Sequence, residues 1–266
     1  MNFNISLGQY YPGNSILHRA DPRTKIILSI VFMTLAFTAA TLFEFLLLAV
    51  FAGCAIAVTQ IPPGVMLRSV KPVLMLILFA SVINIFMTRG EPIFRVWIIA
   101  PTREGIITAL KMTARISLII LGGSSIMIFT TTPKMLTDGI ESLLNPLKRV
   151  RVPAHELAMM MTIAMRFIPL LIEEVDRIMR AQASRGADFN EGNLLERARA
   201  FIPVIIPLFV SVFRRADELA NAMEARCYRG GEGRTRLRQL RFTRIDAGFF
   251  IVILMFTALF FILRII

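Results

Sequence analysis

The stretch AGFFIVILMFTALFFIL, Ala247–Leu263, decides the fold of this chain. It carries no charged residue and only one hydroxyl, Thr257, and it follows a run of basic residues ending at Arg241 and Arg244. Crossing the hydrocarbon core of a bilayer takes about 20 mostly apolar residues, within a range of roughly 17–25. Ala247–Leu263 reads as such a helix, and further candidates lie upstream. Between Ile26 and Leu67 the only charge is Glu44. Two short helices fit there, Ile26–Ala40 and Phe45–Gln60, with Thr41–Glu44 as the turn and Pro62-Pro63-Gly64 as the stop. Val73–Thr88 is another candidate, and so is Ile106–Thr130, although Lys111 and Arg115 interrupt its first half. The expected architecture is an all-α, polytopic membrane protein with about five spans.

Composition agrees. Of 266 residues, 56% are hydrophobic and 18% charged, against about 45–50% and about 25% in soluble domains. The mean hydropathy is +0.67. The two cysteines, Cys54 and Cys227, lie in unlike surroundings, one apolar and one basic, and no disulfide framework is expected. The net charge of +12 is placed unevenly. Arg19, Arg23 and Lys25 precede the first span, Arg68 and Lys71 the third, and Arg234, Arg236, Arg238, Arg241 and Arg244 the last. With about five spans these clusters share one side, which the positive-inside rule makes the cytoplasm. The N-terminus is then inside and the C-terminus outside. Arg89, Arg95 and Arg103 lie in an opposite loop and run against this. A cleaved signal peptide is not expected, because the first apolar run continues straight into the second.

Residues Thr131–Arg244 differ in kind. They hold 19 of the 30 Lys and Arg and 13 of the 18 Asp and Glu. Their apolar runs, Leu157–Met165 and Ala200–Phe213, are short and bounded by charge. Such runs suit amphipathic helices at a membrane face better than spans. The chain is therefore divided into membrane helices over 1–130, a cytoplasmic-face helical region over 131–244, and a last membrane helix over 245–266.

That middle region contains an echo. Ile168-Pro169-Leu170-Leu171 leads through Glu173-Glu174-Val175-Asp176-Arg177 to Ser184-Arg185-Gly186. Ile206-Pro207-Leu208-Phe209 leads through Arg214-Arg215-Ala216-Asp217-Glu218 to Ala225-Arg226-Cys227. The two spacings from proline to final arginine differ by about one helical turn. Helix stopping explains either motif alone, since a cation suits a helix C-terminus and Gly186 suits a left-handed cap. Two copies fit a pair of similar pockets on a two-subunit partner.

Several chemistries have no support. No Gly-x-x-x-x-Gly-Lys-Ser/Thr phosphate loop is present, so ATP hydrolysis by this chain is not expected. Gly122-Gly123-Ser124-Ser125 lies in an apolar helix, where small residues serve close packing. His18 and His155 lack partners at metal-ligand spacing, and no metal or cofactor is expected; His155 reads as part of a helix start. Glu173-Glu174 reads as a solvated or salt-bridged face, since adjacent helix residues point apart. Arg115 is a charge inside a span, normally a functional hint; against that stand three structural readings of equal weight: snorkelling outward, pairing with Glu44, or pairing with Glu104. The basic run Arg226–Arg244 reads as an anchor on anionic lipid, and no nucleic-acid partner is expected.

A set of ordered motifs resembles a known family. They include Gly8-Gln9-Tyr10-Tyr11-Pro12-Gly13-Asn14-Ser15, Asp21-Pro22-Arg23-Thr24-Lys25, Leu144-Asn145-Pro146-Leu147, Val152-Pro153-Ala154-His155-Glu156-Leu157, Arg166-Phe167-Ile168-Pro169-Leu170 and Ala181-Gln182-Ala183-Ser184-Arg185-Gly186. Over nearly its whole length the chain is similar to the transmembrane T components of energy-coupling factor (ECF) transporters, the family that includes the cobalt-transport permease CbiQ. The resemblance implies a non-catalytic plasma-membrane subunit joining two ATP-binding-cassette ATPase subunits to a substrate-capturing S component, for uptake of a vitamin or transition metal. It implies that two Ala-Arg-Gly-like motifs seat on the ATPases, here Ser184-Arg185-Gly186 and Ala225-Arg226-Cys227. Ser184 and Cys227 depart from the family pattern, and Cys227 puts the capping geometry of the second motif in question. Two other classes are weighed. An intramembrane enzyme would need polar groups converging within the spans, where only Glu44, Lys111 and Arg115 are found. A self-contained secondary transporter would need symmetric repeats within the membrane, whereas the echo lies outside the spans.

Overall fold

A computed structural model describes residues 10–88, 102–146, 153–189, 193–230 and 242–265. Arg89, Arg95, Gly8, Gln9, Leu147, Val152 and the basic residues Arg234–Arg241 lie outside them. The described chain is helical: α1 (Ile16–Arg19), α2 (Pro22–Thr38), α3 (Leu42–Thr59), α4 (Pro63–Met87), α5 (Arg103–Gly123), a π-helical turn (Ser124–Ile128), α6 (Pro133–Leu144), α7 (Ala154–Ala183), α8 (Leu194–Ala225) and α9 (Arg244–Ile265). It divides into two compact units. One holds the described residues up to Gly139 and from Phe242 on; the other holds Ile140 to Gly230.

The first unit is the membrane protein that the hydropathy foretold. Among the described residues four helices are long and apolar enough to cross a bilayer: Leu42–Thr59, Val70–Met87, Arg103–Ile128 and Arg244–Ile265. The remaining expected span, α2, has 17 residues. At 1.5 Å per residue it is about 25 Å long, short of the roughly 30 Å hydrocarbon core. It is nevertheless the core of the unit, packing against α3, α5 and α9. Phe32 of α2 is fully buried. It stacks on Phe51 of α3 with 5.6 Å between centroids, and Phe51 meets Phe256 of α9 at 4.4 Å. Gly122 admits the ring, since a Cβ there would stand 2.2 Å from a Phe32 ring carbon. The small-residue reading of Gly122-Gly123-Ser124-Ser125 is thus correct. The two serine hydroxyls donate back to the Ile120 and Leu121 carbonyls where the helix widens into its π turn.

The α2–α3 turn explains both charges that the hydropathy left isolated. Thr41 caps α3 and Glu44 closes a capping box, so Glu44 belongs to the first helical turn and not to the loop. Its Oε2 accepts the N–H groups of Ala40 and Thr41. The guanidinium of Arg115 donates to the carbonyl of Ala39, the C-cap of α2, and lies 5.8 Å from the centroid of Phe45. Of the three readings of Arg115, none names this partner: it caps a helix C-terminus, where a cation meets the negative end of the macrodipole. Arg115 stands about 18 Å along α5 from Arg103, so the α2–α3 turn is set back from that end of α5 by roughly three helical turns. Irregular backbone at such a depth is stable where protein groups satisfy it, and Glu44 and Arg115 do so.

At the other end of α2 sits a buried polar clamp. Asp21 is the N-cap, its carboxylate accepting the Arg23 N–H at 2.9 Å, and Pro22 takes the first helical position. Lys25, 2% exposed, donates to the carbonyls of Thr130 at 2.9 Å and His18 at 3.4 Å. Asp246, 1% exposed, accepts the Asp21 N–H at 2.7 Å. It also accepts the N–H and hydroxyl of Thr243, at 2.8 and 2.7 Å. Arg23 lies over the Phe242 ring at 4.9 Å. The Asp-Pro-Arg-x-Lys element therefore ties together the points where the chain leaves the membrane helices, at Thr130, and where it returns, at Thr243–Asp246.

Candidate functional site

The second unit carries both echoed motifs. α7 has 30 residues and α8 has 32; neither is among the helices apolar enough to span. They form an antiparallel hairpin. Glu174 of α7 pairs with Arg215 of α8 at 3.2 Å, so the two-glutamate segment serves a salt bridge. Toward the α7 C-terminus, the Gln182 amide donates to the Pro203 carbonyl at 3.4 Å. Pro207 has no N–H, and in a regular helix its donor would have met that carbonyl; Gln182 supplies a replacement from the other helix. In the opposite direction Ile163, Phe167 and Leu171 face Leu219, Ala220 and Met223 across a groove of about 320 Å³.

Each helix ends in the same way. In α7 the Ala187 N–H bonds to the Gln182 carbonyl and the Gly186 N–H to that of Ala183, both at 3.0 Å. In α8 the Tyr228 N–H bonds to the Met223 carbonyl at 3.0 Å and the Cys227 N–H to that of Glu224 at 2.8 Å. Both are Schellman caps, with the left-handed residue at the first position past the cap. Gly186 has φ +88° and Cys227 φ +54°. The arginine falls at the same place in each, immediately before the left-handed residue. The departure at Cys227 therefore leaves the cap geometry intact and loads it with strain, since a side chain in the left-handed region costs roughly 1–2 kcal/mol. Swapping the two positions checks this: Cys227→Gly is expected to leave stability equal or raise it by up to about 1 kcal/mol, and Gly186→Ala to lower it by about 1 kcal/mol. Equal thermal shifts for both variants would rule out the shared cap.

Ser184, Arg185, Gly186, Ala225, Arg226 and Cys227 are all exposed. Arg185 and Arg226 have no ion-pair partner among the described residues. The hairpin does not bring them together. Because the helices are antiparallel, the tips lie at opposite ends, on the order of 40 Å apart by helical rise. Between them α8 presents an apolar face, with Ile206 60%, Phe209 58% and Phe213 65% exposed. His155 is more than a helix start. Its Nδ1 lies 3.2 Å from Glu141 Oε1 of α6, and its Nε2 lies 3.4 Å from the Tyr228 hydroxyl. Sequence spacing concealed this, because the three residues come from different elements.

The family profile described as cobalt transport protein, CbiQ, matches residues 13–237. The chain is 56% identical over 243 residues to the energy-coupling factor transporter transmembrane protein EcfT of Ruminiclostridium cellulolyticum, covering 91% of each. It belongs to the CbiQ/EcfT family. The EcfT of Acidaminococcus fermentans is 55% identical over 244 residues, covering 92% of this chain and 91% of that one. The EcfT of Bacillus subtilis is 42% identical over 262 residues, covering 98% of both. As a CbiQ/EcfT protein the chain is a membrane component of a multisubunit ECF transporter.

Proposed function

We propose that this chain couples two ABC ATPase subunits to a membrane S component, which captures a vitamin or transition-metal substrate for import. One observation carries the proposal: two caps with the same hydrogen-bond pattern, each presenting an exposed arginine with no ion pair among the described residues, stand at opposite ends of one antiparallel hairpin. Two like tips suit two like partners. ATP binding draws the ATPase subunits together, and a rigid hairpin seated on both converts that movement into motion of its apolar face. That face acts on the S component, which reorients and releases its substrate inside. Arg185 and Arg226 make charge-assisted hydrogen bonds to acidic or carbonyl groups of the ATPases. The chain contributes no hydrolysis of its own.

Pull-down of the tagged chain from detergent-solubilised membranes tests this. Two ABC ATPase polypeptides and a small membrane protein are expected in the eluate, with ATP hydrolysis that disappears when the ATPases are stripped away. An eluate holding the chain alone, or hydrolysis that follows this polypeptide by itself, would overturn the reading.

The protein lies in the plasma membrane with its N-terminus cytoplasmic and its C-terminus outside, an orientation supported by the basic residues that precede α2, α4 and α9. With Cys54 and Cys227 replaced by serine, a single cysteine at Ile266 is expected to react with an impermeant reagent in intact cells. Protection at that position would reverse the C-terminal assignment.

A further inference from the structure

The two tips are alike in backbone but are held by different chemistry. Each is followed by an aromatic residue that returns to the N-terminal half of the other helix. After the α7 tip, Phe189 packs on Phe201 of α8, with 5.3 Å between centroids. Gln182, the first carbonyl of that cap, also reaches the Pro203 carbonyl. After the α8 tip, the aromatic residue is Tyr228, whose N–H closes the cap and whose hydroxyl meets His155 Nε2 at 3.4 Å. His155 is in turn oriented by Glu141 at 3.2 Å, with side chains 20% and 14% exposed. We infer that Tyr228 and His155 are positioning residues for the Arg226 tip, with Glu141 fixing the imidazole. The second ATPase seat then depends on a Tyr–His–Glu side-chain relay, whereas the polar ties described at the first tip run to backbone carbonyls, from Gln182 to Pro203 and from the Arg197 guanidinium to Phe189 at 3.4 Å.

The physical reason lies in the cap. Cys227 holds a left-handed conformation that only its surroundings maintain, whereas Gly186 adopts it freely. The tether at Tyr228 is one residue beyond Cys227, so it resists unwinding of the strained turn and keeps Arg226 aimed. At Gly186 the left-handed turn itself needs no such restraint.

This inference rests on the docking reading, and its test separates the two. Tyr228→Phe keeps the ring and removes only the hydroxyl; His155→Gln keeps an amide near the position of Nε2, and His155→Ala removes both. Retention of the ATPases by the whole complex is measured for each, alone and combined with Arg185→Ala or Arg226→Ala. Tyr228→Phe and His155→Ala are each expected to weaken retention about three- to tenfold, the range of one hydrogen bond. His155→Gln is expected to recover part of the loss. The effects are expected to be non-additive with each other and with Arg226→Ala, and additive with Arg185→Ala. A silent Tyr228→Phe, or additivity with both arginine variants alike, overturns the relay while leaving docking intact. If Arg226→Ala itself leaves retention unchanged, docking fails and the relay with it. Tyr228→Phe is the deciding variant should His155→Ala fold poorly.

Discussion

Replacing Arg185 or Arg226 by alanine is expected to strip the ATPase subunits from the complex or to leave hydrolysis running without transport. Each guanidinium is exposed in the chain and has no ion pair among the described residues, so it is available for a partner. Truncating one member of a desolvated charge pair costs about 2–5 kcal/mol, enough to lower occupancy of that seat by more than tenfold. Because the tips stand at opposite ends of the hairpin, each variant is expected to loosen one seat and the double variant both. Arg180 and Arg229 serve as controls, being close in sequence to the tips but outside the caps. Complex yield and substrate uptake are the measurements. The docking assignment is falsified if Arg185→Ala and Arg226→Ala do no more harm than Arg180→Ala and Arg229→Ala; helix capping would then account for both motifs.

The second large effect is expected at Lys25. This side chain is 2% exposed and holds the Thr130 and His18 carbonyls, with Asp246 and Asp21 supplying the surrounding negative field. Lys25→Met removes a buried cation and leaves Asp246 without its field, while Asp21 keeps Arg23 at 3.6 Å. Breaking a buried charged cluster from one side costs about 3–5 kcal/mol. For a chain of this size that corresponds to a fall in Tm on the order of 10 °C. Lys71→Met is the comparison, since Lys71 is exposed and surface changes stay within about 0.5 kcal/mol. Thermal unfolding in detergent measures both. If Lys25→Met melts with the unaltered protein, the clamp does not hold the ends of α2 and α9 together.

The same clamp shows how far sequence reasoning reaches. Asp21-Pro22 announces a helix start, because aspartate accepts a free N–H and proline needs none at the first position. Nothing local announces that Lys25 bonds to Thr130 or that Asp246 caps the Asp21 N–H, since those partners are far along the chain. Arg115 is similar. Its presence in an apolar helix marks it as unusual, but its partner is a backbone carbonyl, and every residue has one of those. The α2 span reads from the sequence as one short membrane helix among several, and the structure makes it the most buried helix of its unit.

What the sequence determined by itself was the all-α membrane class, most of the helix C-terminal ends and the two arginine motifs. These rest on hydropathy, capping residues and helical spacing, all of which act over a few neighbours. Only the tertiary structure decided that the hairpin is antiparallel and that its tips point apart. It also decided that Cys227 takes the left-handed cap of a glycine and that His155 joins Glu141 to Tyr228. Those features depend on which side chains meet across helices, and packing, unlike helical periodicity, leaves no repeat in the order of the residues.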